Sequence, residues 1–352
     1  MTFQVISPID GRLLKEIESW GESQIEQTIN GAHQVQPVWA ASSFAERAIQ
    51  LKAIGEQFRL QRESLARLVT EEMGKLYKES LAEVDKCAWV CDYYAEQAEA
   101  FLADELIESD AGRSLVCYQP LGTILAVMPW NFPLWQVMRF AAPTLMAGNT
   151  GLLKHASNVP QCAMALEQVM CDAGLPEGVF SSLLIRASQV KRVIEDDRVH
   201  AVALTGSTPA GKQVAAAAGG VLKKCVLELG GSDPFVVLED ADIPLAVKGA
   251  VASRYLNAGQ SCIAAKRFIV VDAVAEQFLQ HFKSEVEALN PGDPLDDDAT
   301  LAPMARVDLR DELHQQVQTS IEQGAVALTG CQPAAGPGAF YQPSILDRVE
   351  LG

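Results

Sequence analysis

Thr123-Ile124-Leu125-Ala126-Val127-Met128 is an unbroken apolar run that ends at Pro129-Trp130-Asn131-Phe132-Pro133. Its length and its punctuation read as a buried strand that leaves a sheet through an irregular loop. From there the chain alternates. Residues 134–147 read as a helix, 151–154 as a strand and 160–171 as a helix capped by Ser157 or Asn158. A strand at 179–185, a helix at 189–195, a strand at 199–204, a helix at 209–218 and a strand at 224–229 follow. Strands and helices alternating over short links predict an α/β fold with a doubly wound parallel sheet. Such sheets bind ligands beyond the carboxyl ends of their strands. Four loops fall at those ends: 129–133, Lys154-His155-Ala156-Ser157, Thr205-Gly206-Ser207-Thr208 and Glu228-Leu229-Gly230-Gly231.

On the amino-terminal side the first hundred residues read as helical. Ser43 and Glu46 have capping-box spacing, with Leu51, Ile54, Phe58, Leu65, Leu68 and Val69 behind them near helical period. A further helix is expected over 84–101. Residues 114–118 read as a strand, and 104–119 as an excursion from the first domain. On the carboxyl side a second α/β domain is expected from Gly230, with strands at 235–238, 265–271 and 325–328 and helices at 242–255, 275–289 and 307–323.

The bulk properties exclude several classes. A chain of 352 residues can hold two sizeable cores. Its 28 basic and 45 acidic residues give a net charge of −17, a poor match to phosphate backbones, so no nucleic acid partner is expected. The eight cysteines are scattered, and Cys87 and Cys91 have no histidine nearby, so no metal site is expected. They read as reduced, mostly buried thiols of a cytoplasmic protein. The uncharged stretch 115–138 has the length of a membrane span. Its Pro120, Gly122, Pro129, Asn131 and Pro133 favour strand, loop and helix instead.

Each candidate residue has a plain structural alternative. Gly206 to Lys212 follows a strand and opens a helix, where backbone N–H groups and the helix dipole suit a phosphate. Gln213 stands where a P-loop needs Ser or Thr for magnesium, and a simple turn stays open. Cys262, in Gly259-Gln260-Ser261-Cys262, is a nucleophile or an inert thiol. His33, His155, His200, His281 and His314 carry no protease signature, which weighs against a Cys–His protease. Glu228 is a base or a structural carboxylate, and Asn131 alone reads as a cap of a helix or turn.

Taken together, Pro-Trp-Asn-Phe-Pro at 129–133, Lys154, Thr-Gly-Ser-Thr at 205–208, Glu-Leu-Gly-Gly at 228–231 and Gly-Gln-Ser-Cys at 259–262 resemble the aldehyde dehydrogenase superfamily. Gly174 to Gly178 and Gly292-Asp293-Pro294 add smaller matches. The resemblance spans nearly the whole chain. It implies an NAD- or NADP-dependent oxidation of an aldehyde. Cys262 would attack the substrate, Asn131 would hold the oxyanion, and Glu228 would activate water against the resulting thioester. Loss of one oxyanion donor typically costs about 2.7–4 kcal/mol of barrier. Trp130, Lys154, Ser157, Gly206, Ser207 and Leu229 would contact the cofactor. Ser157 stands where many NAD-preferring relatives carry Glu, so NADP should be tolerated. Arg139, eight residues after Asn131, matches the arginine that binds the distal carboxylate in succinate-semialdehyde dehydrogenases. Read from the residues alone, an arginine in so uncharged a stretch is buried and needs a partner, which an internal salt bridge would also supply.

The implied domains are a cofactor-binding domain at 1–103 and 120–229, bridging and oligomerisation strands at 104–119, and a catalytic domain at 230–352. A homo-oligomer is implied. Family members continue through a Glu-x-Phe-Gly-Pro motif absent here, so the chain is expected to be truncated at its carboxyl end. Another aldehyde as substrate, or a silent cofactor-binding scaffold, remains an alternative.

Overall fold

The computed structural model describes residues 2–350. Two strands open the chain, β1 (Thr2–Ile6) and β2 (Leu13–Glu18), and they pair with each other. They correct the all-helical expectation for the first hundred residues. Phe3 and Val5 are buried between exposed neighbours, the period of a half-buried strand, but over too few residues to stand out in sequence. Four helices follow, α1 (Glu22–Ala41), α2 (Phe44–Leu60), α3 (Arg62–Met73) and α4 (Tyr77–Phe101). The capping box forms at α2: Glu46 N–H donates to Ser43 Oγ at 3.2 Å, and Ser43 N–H to Glu46 Oε2 at 2.7 Å. The strand expected at 114–118 is shorter. It is β4 (Leu115–Val116), antiparallel to β3 (Glu105–Leu106).

The alternating region runs β5 (Thr123–Val127), α5 (Trp135–Met146), β6 (Thr150–Lys154), α6 (Pro160–Asp172), β7 (Phe180–Ser182), α7 (Ala187–Glu195), β8 (Val199–Gly206), α8 (Thr208–Gly220) and β9 (Lys224–Leu229). Its five strands make one parallel sheet in the order β7-β6-β5-β8-β9. The winding reverses beside β5, the switch point where such sheets take their ligands. β5 and β6 are buried on both faces, which is why they read as continuous apolar runs. Leu125, Leu152, Val202 and Leu204 of the sheet pack with Ile25 and Ile29 of α1, Val193 of α7 and Val214 of α8. The span-length stretch 115–138 resolves into β4, β5 and the loop into α5. Among the described residues no helix is long and apolar enough to cross a membrane. The cap of α6 is Val159, with Pro160 in the first turn, rather than Ser157 or Asn158. Proline pre-sets the helical φ and lacks the N–H a capping side chain would serve.

Beyond β9 come β10 (Asp233–Val237), α9 (Ile243–Tyr255), a 3-10 turn at Leu256–Gly259, β11 (Ala265–Val270), α10 (Asp272–Glu287), α11 (Val307–Glu322), β12 (Val326–Thr329) and β13 (Ile345–Asp347). β10 and β11 are parallel, joined over α9, and β12 and β13 are antiparallel. Phe268 lies against Phe282 with ring centroids 4.9 Å apart, in a core with Val237, Val247 and Val286.

Two compact units divide the chain at Leu229 and Gly230. Gln4–Lys15 and Val69–Ser80 group with the second unit, whereas the expected boundaries put them in the first. Backbone bonds account for this. Ala339 N–H donates to Pro8 O at 2.8 Å, and Tyr77 N–H to Pro294 O at 2.9 Å. Lys78 Nζ donates to Ala299 O at 3.2 Å.

Candidate active site

In the first unit the strand register brings most of the expected site residues to one edge. Val127 lies beside Lys154 and Leu204, Thr205 beside Glu228, and Gly206 beside Leu229. Parallel strands in this register finish together, so the loops carrying Trp130, Asn131, Lys154, Ser157, Gly206, Ser207, Glu228 and Leu229 share the carboxyl edge. Asn131 Oδ1 accepts from Phe132 N–H at 3.2 Å. That bond uses the acceptor end of the amide, whereas an oxyanion would need the donor end.

Two residues outside the expected set hold this loop. Glu83 of α4, 4% exposed, accepts from Leu134 N–H at 2.8 Å and Trp135 N–H at 3.0 Å. A carboxylate there satisfies two donors at the start of α5 and meets the positive end of its dipole. His155 is buried, and burial pushes its imidazole down to about 4, so it is neutral near pH 7. Ala156 N–H donates to Nδ1 at 2.9 Å, which leaves the proton on Nε2 to donate to Pro133 O at 2.8 Å. The carboxyl end of the Asn131 loop is thus tied down from two sides. Replacing Glu83 with Ala strands the two donors and should cost about 1–3 kcal/mol. A fall in melting temperature should come with a lower kcat, as the Asn131 loop loosens. A variant with unchanged thermal unfolding and turnover would contradict this role.

The cofactor residues fit a dinucleotide. Ser207 caps α8, its Oγ accepting from Ala210 N–H, so the hydroxyl proton is left for a phosphate oxygen. Leu229 packs on α8 so closely that a Cβ on Gly211 would lie 2.6 Å from Leu229 Cδ2. Glycine at 211 therefore lets the helix start approach the strand end. Burial lowers the pKa of the Lys154 amine from its ordinary value, so a nearby anion would favour its charged form. Ser157 is exposed. Next to it, both polar atoms of the Asn158 amide are buried and lack a hydrogen-bond partner among the described residues. An adenosine ribose would supply hydroxyls for exactly such groups to bond, and the residues present suit one.

Arg139 corrects one expectation: its side chain is 39% exposed rather than buried. On α5 the positions 136–138, 141–142 and 145–146 are buried, and 139–140 and 143–144 are not. Helical period turns Arg139 away from the core even though its neighbours are uncharged. Its Nη2 lies 3.4 Å from Glu228 Oε2. The ion pair weighed for Arg139 therefore exists, and its partner is the candidate base itself.

In the second unit Cys262, half-buried, sits in a turn bound by two cations that the sequence did not flag. Lys266 Nζ donates to the carbonyls of Cys262 at 2.8 Å, Ser261 at 3.1 Å and Ala264 at 3.3 Å. Arg254 donates to Gly259 O at 2.6 Å and Ala265 O at 3.2 Å. Gly259 has φ of 77°, and a Cβ there would lie 2.1 Å from the Arg254 guanidinium. Both its conformation and the space it leaves require glycine. Asn257 and Ala258 adopt φ of 53°, a left-handed geometry that is costly for residues with a side chain. Asn257 N–H donates to Glu79 Oε1 at 3.1 Å, and Gln260 Oε1 accepts from Ala305 N–H at 2.9 Å. The thiol itself takes no part in these bonds, so the turn is built around it. Of the other cysteines Cys87, Cys91, Cys162 and Cys331 are buried, while Cys117 and Cys171 are exposed against expectation.

The first unit offers a parallel sheet with a phosphate-suited carboxyl edge that carries an amide and a carboxylate, and the second a thiol in a cation-bound turn. The profile of the aldehyde dehydrogenase family matches residues 1–351, and the chain belongs to that family. A succinate semialdehyde dehydrogenase [NAD(P)+] of Escherichia coli is 48% identical over 344 residues, 98% of this chain and 74% of that protein. A succinate-semialdehyde dehydrogenase [NADP(+)] of Mycobacterium avium is 45% identical over 353 residues, 99% of this chain and 75% of that one. The crystal structure of succinic semialdehyde dehydrogenase from Streptococcus pyogenes in complex with NADP+ superposes with a TM-score of 0.95. It is 37% identical, covering 98% of this chain and 76% of that chain.

Proposed function

We propose that this protein oxidises succinate semialdehyde to succinate with NAD+ or NADP+. The observation that carries the substrate class is Arg139, a partly exposed guanidinium at the site edge within 3.4 Å of the Glu228 carboxylate. A cation that already meets one carboxylate can accept another, and its fork suits the distal carboxylate of a semialdehyde acid. The relatives named above act on that substrate by their names.

Cys262 sulfur bonds to the aldehyde carbon, and the carbonyl oxygen becomes an oxyanion that Asn131 Nδ2 stabilises. Trp130, Lys154, Ser157, Gly206, Ser207 and Leu229 bind and orient the dinucleotide, which when bound supplies the hydride acceptor. The oxidised carbon remains on sulfur as a thioester. Glu228 takes a proton from water as its oxygen attacks that carbon, and the acid leaves. Ser157 is neutral, so a 2′-phosphate meets no repulsion from its side chain. The β3–β4 arm exposes Leu106, Ile107, Val116 and Tyr118, apolar surface that a second copy would cover.

The test is cofactor reduction with a panel of aldehydes, each with NAD+ and NADP+. Succinate semialdehyde should give the highest kcat/KM, and both cofactors should turn over. Arg139→Ala should lower kcat/KM for succinate semialdehyde roughly 10- to 100-fold while leaving that for butanal nearly unchanged. Equal effects on the two aldehydes would remove Arg139 as the substrate anchor.

A further inference from the structure

We infer that Arg139 restrains the base as well as anchoring the substrate: it holds Glu228 when no acid is bound, and the substrate's own carboxylate displaces Glu228 and frees it. This rests on the function proposed above. The contact is Arg139 Nη2 to Glu228 Oε2 at 3.4 Å.

The fold produces this contact from two independent elements. β9 is the edge strand, and its side chains alternate: Cys225, Leu227 and Leu229 turn inward while Lys224, Val226 and Glu228 are exposed. Glu228 thus projects from the sheet on the side opposite Leu229. Arg139 projects from the less buried stripe of α5. Each side chain could sit elsewhere in solvent, yet the two meet. A carboxylate held toward a guanidinium keeps one rotamer, so it is less free to swing toward a water at the thioester. The side chains are 39% and 57% exposed, and pairs so exposed are weak. A second carboxylate can therefore win the guanidinium. The strength of such a pair limits the restraint to a factor of about five in rate.

The restraint acts on the hydrolytic step alone. Water gives a proton to Glu228 as its oxygen bonds to the acyl carbon. The C–S bond breaks, the sulfur of Cys262 keeps the electron pair, and the proton passes to it. Thioester and water become acid and thiol. An aldehyde acid frees Glu228 by binding. An aldehyde without a carboxylate forms its thioester and then waits on a base still paired with Arg139. Selection for acid substrates is thereby exercised a second time, after hydride transfer.

The test follows hydrolysis of one acyl group, the butyryl thioester formed from butanal and NAD+, by intact mass after acid quench. Acetate supplies a carboxylate in trans. Wild-type hydrolysis should be accelerated about fivefold by saturating acetate. Arg139→Gln should hydrolyse the thioester about fivefold faster than wild type without acetate and ignore its addition, while Arg139→Lys should stay restrained. The first-turnover burst of NADH with butanal reports that the Arg139→Gln site is intact. A burst followed by hydrolysis at or below the wild-type rate, with acetate inert on wild type, would overturn the restraint and leave the substrate assignment standing. No cofactor reduction by wild type with either aldehyde would overturn both.

Discussion

Cys262→Ala should abolish cofactor reduction with every aldehyde, a loss on the order of 10⁴-fold or more in kcat. The expectation follows from what the thiol does and does not contribute. The turn around it is held by Lys266 on the carbonyls of Ser261, Cys262 and Ala264 and by Arg254 on those of Gly259 and Ala265. None of these bonds uses the sulfur. Removing it should therefore leave thermal unfolding and dinucleotide binding close to wild type while deleting the one bond that the chemistry needs. Cys117 and Cys171 are exposed and could react with the same thiol reagents. Loss of activity on alkylation would not separate them from Cys262, and the substitution does. A Cys262→Ala protein that still reduces NAD+ with an aldehyde would mean that the nucleophile lies elsewhere. Loss of activity together with loss of dinucleotide binding would mean that the thiol holds the site rather than reacts in it.

The parts of this site that were legible in sequence are those whose signal is local. β5 and β6 announce themselves because strands buried on both faces need continuous apolar runs, and the loops after β5, β6, β8 and β9 are marked by Pro, Gly and small hydroxyl residues. Parallel pairing then puts Lys154, Gly206, Glu228 and Asn131 on one edge with no further information. What could not be read is the partner of each charge. Glu83 reaches the start of α5 from 51 residues away, and no local pattern distinguishes it from the other carboxylates of α4. Lys266 and Arg254 look like ordinary surface cations until the turn brings carbonyls to them. Arg139 departs from its expected burial for a related reason. An uncharged neighbourhood argues for burial only if the helix is buried all round, and α5 is buried on one stripe. β1 is not legible because two buried residues, Phe3 and Val5, make too short a pattern.

Glu228→Gln should separate the two halves of the reaction. The amide has nearly the shape of the carboxylate, and its oxygen can lie beside the Arg139 guanidinium, so the neighbourhood keeps its arrangement while the charge is lost. It cannot take a proton from water. Addition of the thiol to the aldehyde and hydride transfer need no base at this position, so rapid mixing should show a burst of about one equivalent of NADH per site. Steady-state turnover should then fall by about 10²–10⁴-fold, the usual contribution of a general base. The arrested protein should carry one acyl group on Cys262 by intact mass after acid quench, and hydroxylamine should release it as a hydroxamate. A variant that lost the burst along with turnover would move Glu228 ahead of hydride transfer, as the group that activates the thiol. One that kept full turnover would assign the water to another base. Because Cys262→Ala should remove the burst and Glu228→Gln should leave nothing but the burst, the pair of variants dissects the reaction at the thioester, and neither result depends on which aldehyde is used.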